Sequence, residues 1–310
     1  MIQNEIMQRV AKQLESAFVG KADFVEKVLI TLLAGGHLLL EDKPGVGKTT
    51  LAVTLARTLR CSFGRIQFTP DTLPGDVTGV SVYRAGDGTF TYLPGPVMNQ
   101  IVLADEINRT SPKTQSSLLE AMEEGQVTVD GTVHALPRPF LVIATQNPVE
   151  FAGTYPLPEA QLDRFLMRLS IGYPDREQAK RLIALSLGKD SRQQAEPAAD
   201  AGELLALQEQ VRGITVSSEL ANYVIRVAEA TRDPELFALG ASPRAMLALL
   251  RAAQASAFLE GRSYCTPDDV QRLAAPVLCH RLIAASAVRG KEQTVERLLA
   301  EQMHKIPVPH

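Results

Sequence analysis

Pro44-Gly45-Val46-Gly47-Lys48-Thr49-Thr50 decides the fold, because a strand pattern runs into it and a helix pattern runs out of it. Ahead of it, His37-Leu38-Leu39-Leu40-Glu41 is a short apolar run of buried-strand character. Behind it, Leu51, Leu55 and Leu59, with Ala52 and Ala56, repeat at helical spacing. Strand, glycine-rich loop, Lys-Thr and helix together form the context in which a short motif becomes a phosphate site. Backbone N–H groups converge at the helix start, where the helix dipole also favours negative charge. Lys48 is then the residue that reaches the β- and γ-phosphates, and the Thr49 hydroxyl the one that holds Mg²⁺. Taken alone, the segment also fits an ordinary strand-turn-helix.

One position departs from the usual pattern. The place five residues before Gly47, ordinarily glycine, is Asp42. Aspartate tolerates unusual backbone angles better than most residues, so the loop is expected to form. Its carboxylate, close to a polyphosphate, is expected as an electrostatic cost.

The rest of the composition sets boundaries. A chain of 310 residues suggests two domains or one large one, with ample core. With 45% hydrophobic and 22% charged residues it reads as a soluble globular protein. A net charge of −3 advertises no nucleic-acid or anionic-membrane partner. Cys61, Cys265 and Cys279 are scattered without metal-ligand spacing, which fits a reducing cytosol. No apolar run approaches the roughly 18–20 residues needed to span a bilayer, and no signal-peptide core is evident. A cytoplasmic protein is expected.

Along the chain, residues 4–18 form an amphipathic pattern with Ile6, Val10, Leu14 and Phe18 on one stripe. Arg65-Ile66-Gln67-Phe68 alternates as a strand. Ser81-Val82-Tyr83 and Thr89-Phe90-Thr91-Tyr92 predict a hairpin, and Val127 to Val133, turning at Asp130-Gly131, a second. Ile101 to Ala104 and Phe140 to Ala144 are further buried strands. Ser111-Pro112 predicts a helix start, closed at Gly125. From about Tyr173 helical periodicity takes over. Residues 189–202 read as an exposed loop. Ser242-Pro243 opens a long helix closed near Gly261, and Thr266-Pro267-Asp268-Asp269 makes a capping-box start. Pro276 is expected to kink or interrupt that last helix. The expected organisation is an α/β domain over residues 1–172, carrying two hairpin insertions, then an all-helical domain over 173–310.

Asp105-Glu106 ends the strand Ile101 to Ala104, at the mouth where α/β sheets bind ligands. The first acid suits a hydrated Mg²⁺, and the second a general base for water attacking a γ-phosphate. A solvated strand end carries acids too, but the phosphate loop upstream favours the functional assignment. Asn147 follows the third apolar strand and is placed to hold the water with Glu106; Asn147-Pro148 is equally a turn signal. Arg164, in the short helix read over Leu157 to Phe165 after the asparagine strand, is either a surface ion-pair partner or an arginine finger given to a neighbour's nucleotide. Arg244 lies in the first turn of its helix, where the dipole disfavours a cation by about 0.3–1 kcal/mol. Sensing a γ-phosphate would explain it there.

These elements, in this order and over these gaps, resemble the AAA+ ATPases. Leu-Leu-Glu-Asp-Lys-Pro-Gly-Val-Gly-Lys-Thr, Ala-Asp-Glu-Ile-Asn-Arg, Ala-Thr-Gln-Asn-Pro and Leu-Pro-Glu-Ala-Gln-Leu-Asp-Arg-Phe are similar to the MoxR group, and the resemblance covers almost the whole chain. It implies Walker A at Lys48 and Thr49, Walker B at Asp105 and Glu106, sensor 1 at Asn147, an arginine finger at Arg164 and sensor 2 at Arg244. It implies a three-layer domain on a five-stranded parallel sheet with a helical lid, binding ATP and Mg²⁺. It further implies a homo-oligomeric ring, often a hexamer, that remodels or activates a protein client with a von Willebrand factor A-domain partner. A nucleic-acid-tracking motor is the main alternative, although the hairpins carry only Arg84 as an evident cation, alongside Asp87 and Asp130. A nucleotide-gated scaffold that barely hydrolyses ATP is a third.

Overall fold

The computed structural model describes residues 2–17, 22–86, 88–147, 154–187, 195–286 and 294–309. Two helices, α1 (Glu5–Ala17) and α2 (Ala22–Leu33), lead into strand β1 (Leu38–Glu41) and helix α3 (Lys48–Thr58). Strand β2 (Phe63–Gln67) and a short α4 (Pro74–Thr78) precede the hairpin β3 (Gly79–Arg84) and β4 (Thr89–Pro94). Strand β5 (Ile101–Asp105) and helix α5 (Pro112–Glu124) follow, then the hairpin β6 (Gln126–Val129) and β7 (Thr132–Ala135). The α/β part closes with β8 (Leu141–Gln146), α6 (Glu159–Leu162) and β9 (Met167–Leu169).

The main sheet has five strands in the order β2-β5-β8-β1-β9, every pair parallel. Successive side chains on a strand point to opposite faces, and the core divides accordingly. Leu38, Leu40, Ile101, Leu103, Leu141 and Ile143 pack into one cluster with α1, α2 and α3. Leu39, Val102, Ala104, Val142 and Ala144 pack on the other face with Leu118 and Leu119 of α5. Both faces being covered, these strands read as continuous apolar runs rather than alternating ones.

The remaining elements are α7 (Arg176–Leu187), α8 (Ala201–Arg212), α9 (Ser218–Ala230), α10 (Pro243–Leu259), α11 (Pro267–Leu278) and α12 (Val295–His304). This helical part also holds a small antiparallel ribbon, Phe237–Leu239 with Ile283–Ala284, too short to show a period in sequence. Its apolar residues continue the cluster that lies on the α1–α3 face of the sheet. No described helix is long and apolar enough to cross a membrane.

Local signals are realised with identifiable caps. Ser111, Ser242 and Thr266 cap α5, α10 and α11, the last with the reciprocal bonds of Asp269. Asp130 and Gly131, with φ of 49° and 78°, make the tight turn of the second hairpin. The stripe buried on α1 is Met7, Val10, Ala11 and Leu14, with Ile6 at its edge; Phe18 lies outside the described residues. Within the loop expected over 189–202, α8 already starts at Ala201, and residues 189–194 lie outside the described residues. Pro276 does not interrupt α11. It sits in the last turn, and the helix passes at Cys279 into a single 3-10 turn.

Candidate functional site

The sheet order brings three strand ends together. β5, β8 and β1 are neighbours, with Ala104 beside Ala144 and Glu41 beside Gln146. Asp105 at the end of β5, Asn147 just past β8 and the loop after β1 therefore meet at one mouth. In that loop Gly45 and Gly47 have φ of 84° and 97°, a region glycine enters without steric penalty. Helix α3 begins at Lys48, so the N–H groups of its first turn lie where the loop ends. A Cβ added to Gly45 would meet no atom within 4 Å, so the cradle is open at this point. The Lys48 ammonium donates to the carbonyl of Asp42 at 2.8 Å.

A cleft of about 370 Å³ is lined by Pro44, Gly45, Gly47, Lys48, Thr49, Thr50, Arg65, Asp105, Glu106 and Asn147. Val46, the one loop residue of the motif outside this lining, packs against the core instead. Asp105 accepts a 2.7 Å hydrogen bond from the Thr145 hydroxyl and pairs with Arg65 at 2.9 Å. The same Thr145 hydroxyl accepts from the Glu106 N–H at 2.9 Å. Glu106 itself has φ 59° and ψ 48°, a left-handed conformation that is strained for a residue with a long side chain. Its carboxylate accepts from Gln67 at 2.9 Å and pairs with Arg109 at 3.3 Å. Asn147 is buried at the cleft wall. The Thr49 hydroxyl and the Asp105 carboxylate are hard oxygen donors in one cleft. They fit Mg²⁺, which takes few protein ligands and completes its shell with phosphate and water.

Asp42 does not aim its carboxylate at this cleft. The side chain is buried and accepts from the Ser170 hydroxyl and from the Ile171 and Gly172 N–H groups. The expected electrostatic cost to a polyphosphate is therefore offset by three donors.

Arg164 and Arg244 lie in a second cleft of about 430 Å³, whose lining includes none of the loop residues. Both bind Glu123 near the end of α5, Arg164 at 2.8 Å to one oxygen and Arg244 to the other. Their hydrogen bonds hold the Glu123 carboxyl below the usual carboxylate range. Asp163 accepts from the hydroxyl of Ser242, the cap of the helix that carries Arg244, at 2.9 Å. It also pairs with the buried Arg281 at 3.4 Å. Arg281 and His280 both reach the carbonyl of Phe165. His37, buried, accepts from the Val142 N–H and so donates through Nε2 to the carbonyl of Met122, beside Glu123. Burial pushes its pKa down to about 4.

Sequence reasoning did not single out Arg65, Gln67, Thr145 or Glu123. The first two lie on a strand's polar alternation, which reads as solvent-facing. Only the pairing of β2 with β5 sets Gln67 beside Asp105.

A phosphate loop on a five-stranded parallel sheet, followed by a helical lid, defines an AAA+ nucleotide-binding module. A model described as the ATPase family associated with various cellular activities (AAA) matches residues 37–167, and an AAA lid domain model matches residues 229–301. The chain is 47% identical, over 98% of its length and 95% of the relative's, to the uncharacterized protein YeaC of Bacillus subtilis. It is 41% identical to the chaperone MoxR1 of Mycobacterium tuberculosis, covering 98% of this chain and 82% of that one. To the protein MoxR of Paracoccus denitrificans it is 32% identical, covering 96% and 94%. A crystal structure from Cytophaga hutchinsonii, of a protein provisionally described as an ATPase, matches with a TM-score of 0.91 at 37% identity, covering 98% and 95%. The chain belongs to the MoxR family of AAA+ ATPases.

Proposed function

We propose that the protein hydrolyses ATP with Mg²⁺ as a homo-oligomeric ring, hexameric by family resemblance, and uses the energy to remodel or mature a protein client. The observation that carries this reading is the convergence of Lys48, Thr49, Asp105, Glu106 and Asn147 on one cleft, from three adjacent strand ends. The loop from Pro44 to Thr50, Val46 included, holds the phosphates through backbone N–H groups, and Lys48 neutralises them. Thr49 and Asp105 would hold Mg²⁺, which would supply positive charge against the phosphates. Glu106 acts as general base on the attacking water, and Asn147 orients that water. Gln67 and Arg109 hold the Glu106 carboxylate. It must turn from them to reach the water.

Arg164 and Arg244 complete the site of a neighbouring subunit rather than their own. Supporting this is their shared place on Glu123, in a cleft apart from Lys48. This changes the expectation for Arg244 from a sensor of its own subunit's γ-phosphate to a partner of the arginine finger. The division into an α/β domain over 1–172 and a lid over 173–310 belongs to the same reading, supported by the sheet's last strand ending at Leu169 and the next helix starting at Arg176. A chaperone-like role draws on the name of the Mycobacterium tuberculosis relative. A von Willebrand factor A-domain partner follows from family resemblance, and a cytoplasmic location from the scattered cysteines that fit a reducing compartment.

Glu106→Gln tests the assignment. It is expected to bind ATP and Mg²⁺ like the wild type and to lose turnover by about 10²–10⁴-fold, the usual span of general-base catalysis. Wild-type turnover in that variant would overturn it.

A further inference from the structure

Asp42 occupies the position where the phosphate-loop pattern ordinarily has glycine, yet its φ is not among the positive ones of the described residues. Backbone geometry therefore does not demand glycine here, and a side chain is free to serve another purpose. All three of its polar groups are engaged. Its N–H donates to the carbonyl of Gln146, beside Asn147, at 3.2 Å. Its carbonyl accepts from the Lys48 ammonium at 2.8 Å. Its carboxylate, 6% exposed, accepts from the Ser170 hydroxyl at 2.8 Å, the Ile171 N–H at 2.5 Å and the Gly172 N–H at 3.1 Å.

Three donors on two oxygens need an acceptor-only group, which a carboxylate is and an amide is not. An asparagine would turn its NH₂ toward at least one of those donors. A glycine would keep both backbone bonds and abandon all three others. Residues 170–172 are the stretch through which β9 leaves the sheet toward α7, and Gly172 turns there with φ of 70°.

We infer that Asp42 is a positioning residue that carries the occupancy of the phosphate loop to segment 170–172, and so to the lid. The inference rests on the assignment of Lys48 to a nucleotide's phosphates. The Lys48 ammonium has three N–H donors, so it can hold the Asp42 carbonyl and a phosphate together. A phosphate that shifts the ammonium therefore shifts the Asp42 peptide bound to it, and the same residue's carboxylate transmits the adjustment to the three donors. The lid carries Arg244, so the path runs from one subunit's phosphates toward the cation it offers its neighbour.

The experiment is hydrogen–deuterium exchange of the full chain with and without ADP and Mg²⁺, in wild type, Asp42→Asn and Ser170→Ala, with mant-ADP affinity measured in parallel. Without nucleotide, the amides of Ile171 and Gly172 are expected to exchange at least tenfold faster in Asp42→Asn. In the wild type ADP is expected to change their exchange; in Asp42→Asn that change is expected to vanish while mant-ADP still binds. Ser170→Ala, which leaves the loop untouched and removes one donor, guards against a variant that fails to fold, and is expected to halve the response with ADP affinity within about threefold. An ADP response that persists in Asp42→Asn, or wild-type protection of both amides in that variant, overturns the inference. Failure of the wild type to bind mant-ADP instead strikes the ATPase reading, and is told apart because the nucleotide-free exchange still reports on the contact itself.

Discussion

Arg164 and Arg244 hold opposite oxygens of the same carboxylate, that of Glu123, although one lies just before the last strand of the sheet and the other opens a lid helix. In the isolated chain this contact occupies both guanidinium groups at once. Assembly that offers a phosphate must draw them from Glu123, and partly exposed pairs of this kind are worth about 0.2–1 kcal/mol each. Glu123→Ala is therefore expected to lower the protein concentration at which ATP turnover becomes assembly-dependent by up to about fivefold per pair released. Turnover measured across a dilution series checks this. A shift to higher concentration would mean that Glu123 supports the assembled site instead of restraining it.

If both arginines act across a subunit boundary, activity can be rebuilt from two dead proteins. Lys48→Ala removes the phosphate contact but leaves the arginines; Arg164→Ala or Arg244→Ala does the reverse. Each alone is expected to lose turnover, by about 10³–10⁵-fold for an arginine finger. Mixing Lys48→Ala with either arginine variant is expected to restore turnover. Restoration with Arg164→Ala but not with Arg244→Ala would return Arg244 to its own subunit's nucleotide.

How much of this was legible beforehand depended on the range of the interaction. β1, β5 and β8 could be read because burial on both faces makes each a compact apolar run, and the loop and strand-end acids follow directly from them. β9, of three residues, has no room to show a period, and α2 has a run, Val28 to Leu33, apolar but for Thr31, that reads as strand or helix alike. Site residues attached to a strand end, such as Asp105 and Asn147, were within reach of local patterns. Glu123, Asp163 and Thr145 were not. Their significance comes from partners brought up by strand order and lid docking, which no window of sequence contains. Asp42 was conspicuous as an exception, but only tertiary contacts show that its carboxylate faces residues 170–172.

Asp163 joins the turn that carries Arg164 to the cap of Arg244's helix, and also balances Arg281, which is 4% exposed. Burial has already pushed the Arg281 pKa down to about 10. Asp163→Asn leaves that guanidinium without its counter-charge and is expected to destabilise the chain by about 3–5 kcal/mol, as for a broken buried pair. Ser242→Ala removes only a helix cap and one hydrogen bond, about 1 kcal/mol. Urea unfolding of the two variants separates them. Equal losses would mean that Arg281 finds its compensation without Asp163.

Two buried imidazoles make stability depend on pH above the range where carboxylates titrate. Burial lowers the pKa of His37 from 6.5 to about 4 and that of His280 well below 6.5, the latter helped by the neighbouring Arg281 charge. The unfolded chain thus takes up these protons first as pH falls. Their contribution is intact above about pH 6.5 and is lost on acidification toward pH 4, at about 1.4 kcal/mol per pH unit for each ring. Glu123 and Asp269, whose pKa values are lowered below the ordinary carboxylate range, act mainly at the acidic end of that window and below it. Urea midpoints at pH 7.5, 6.5, 5.5 and 4.5 are expected to be flat over the first step and to fall over the next two, with His37→Asn halving the slope. A midpoint that holds constant down to pH 5 would show that neither ring stays neutral through its hydrogen bonds to Val142, Met122 and Phe165.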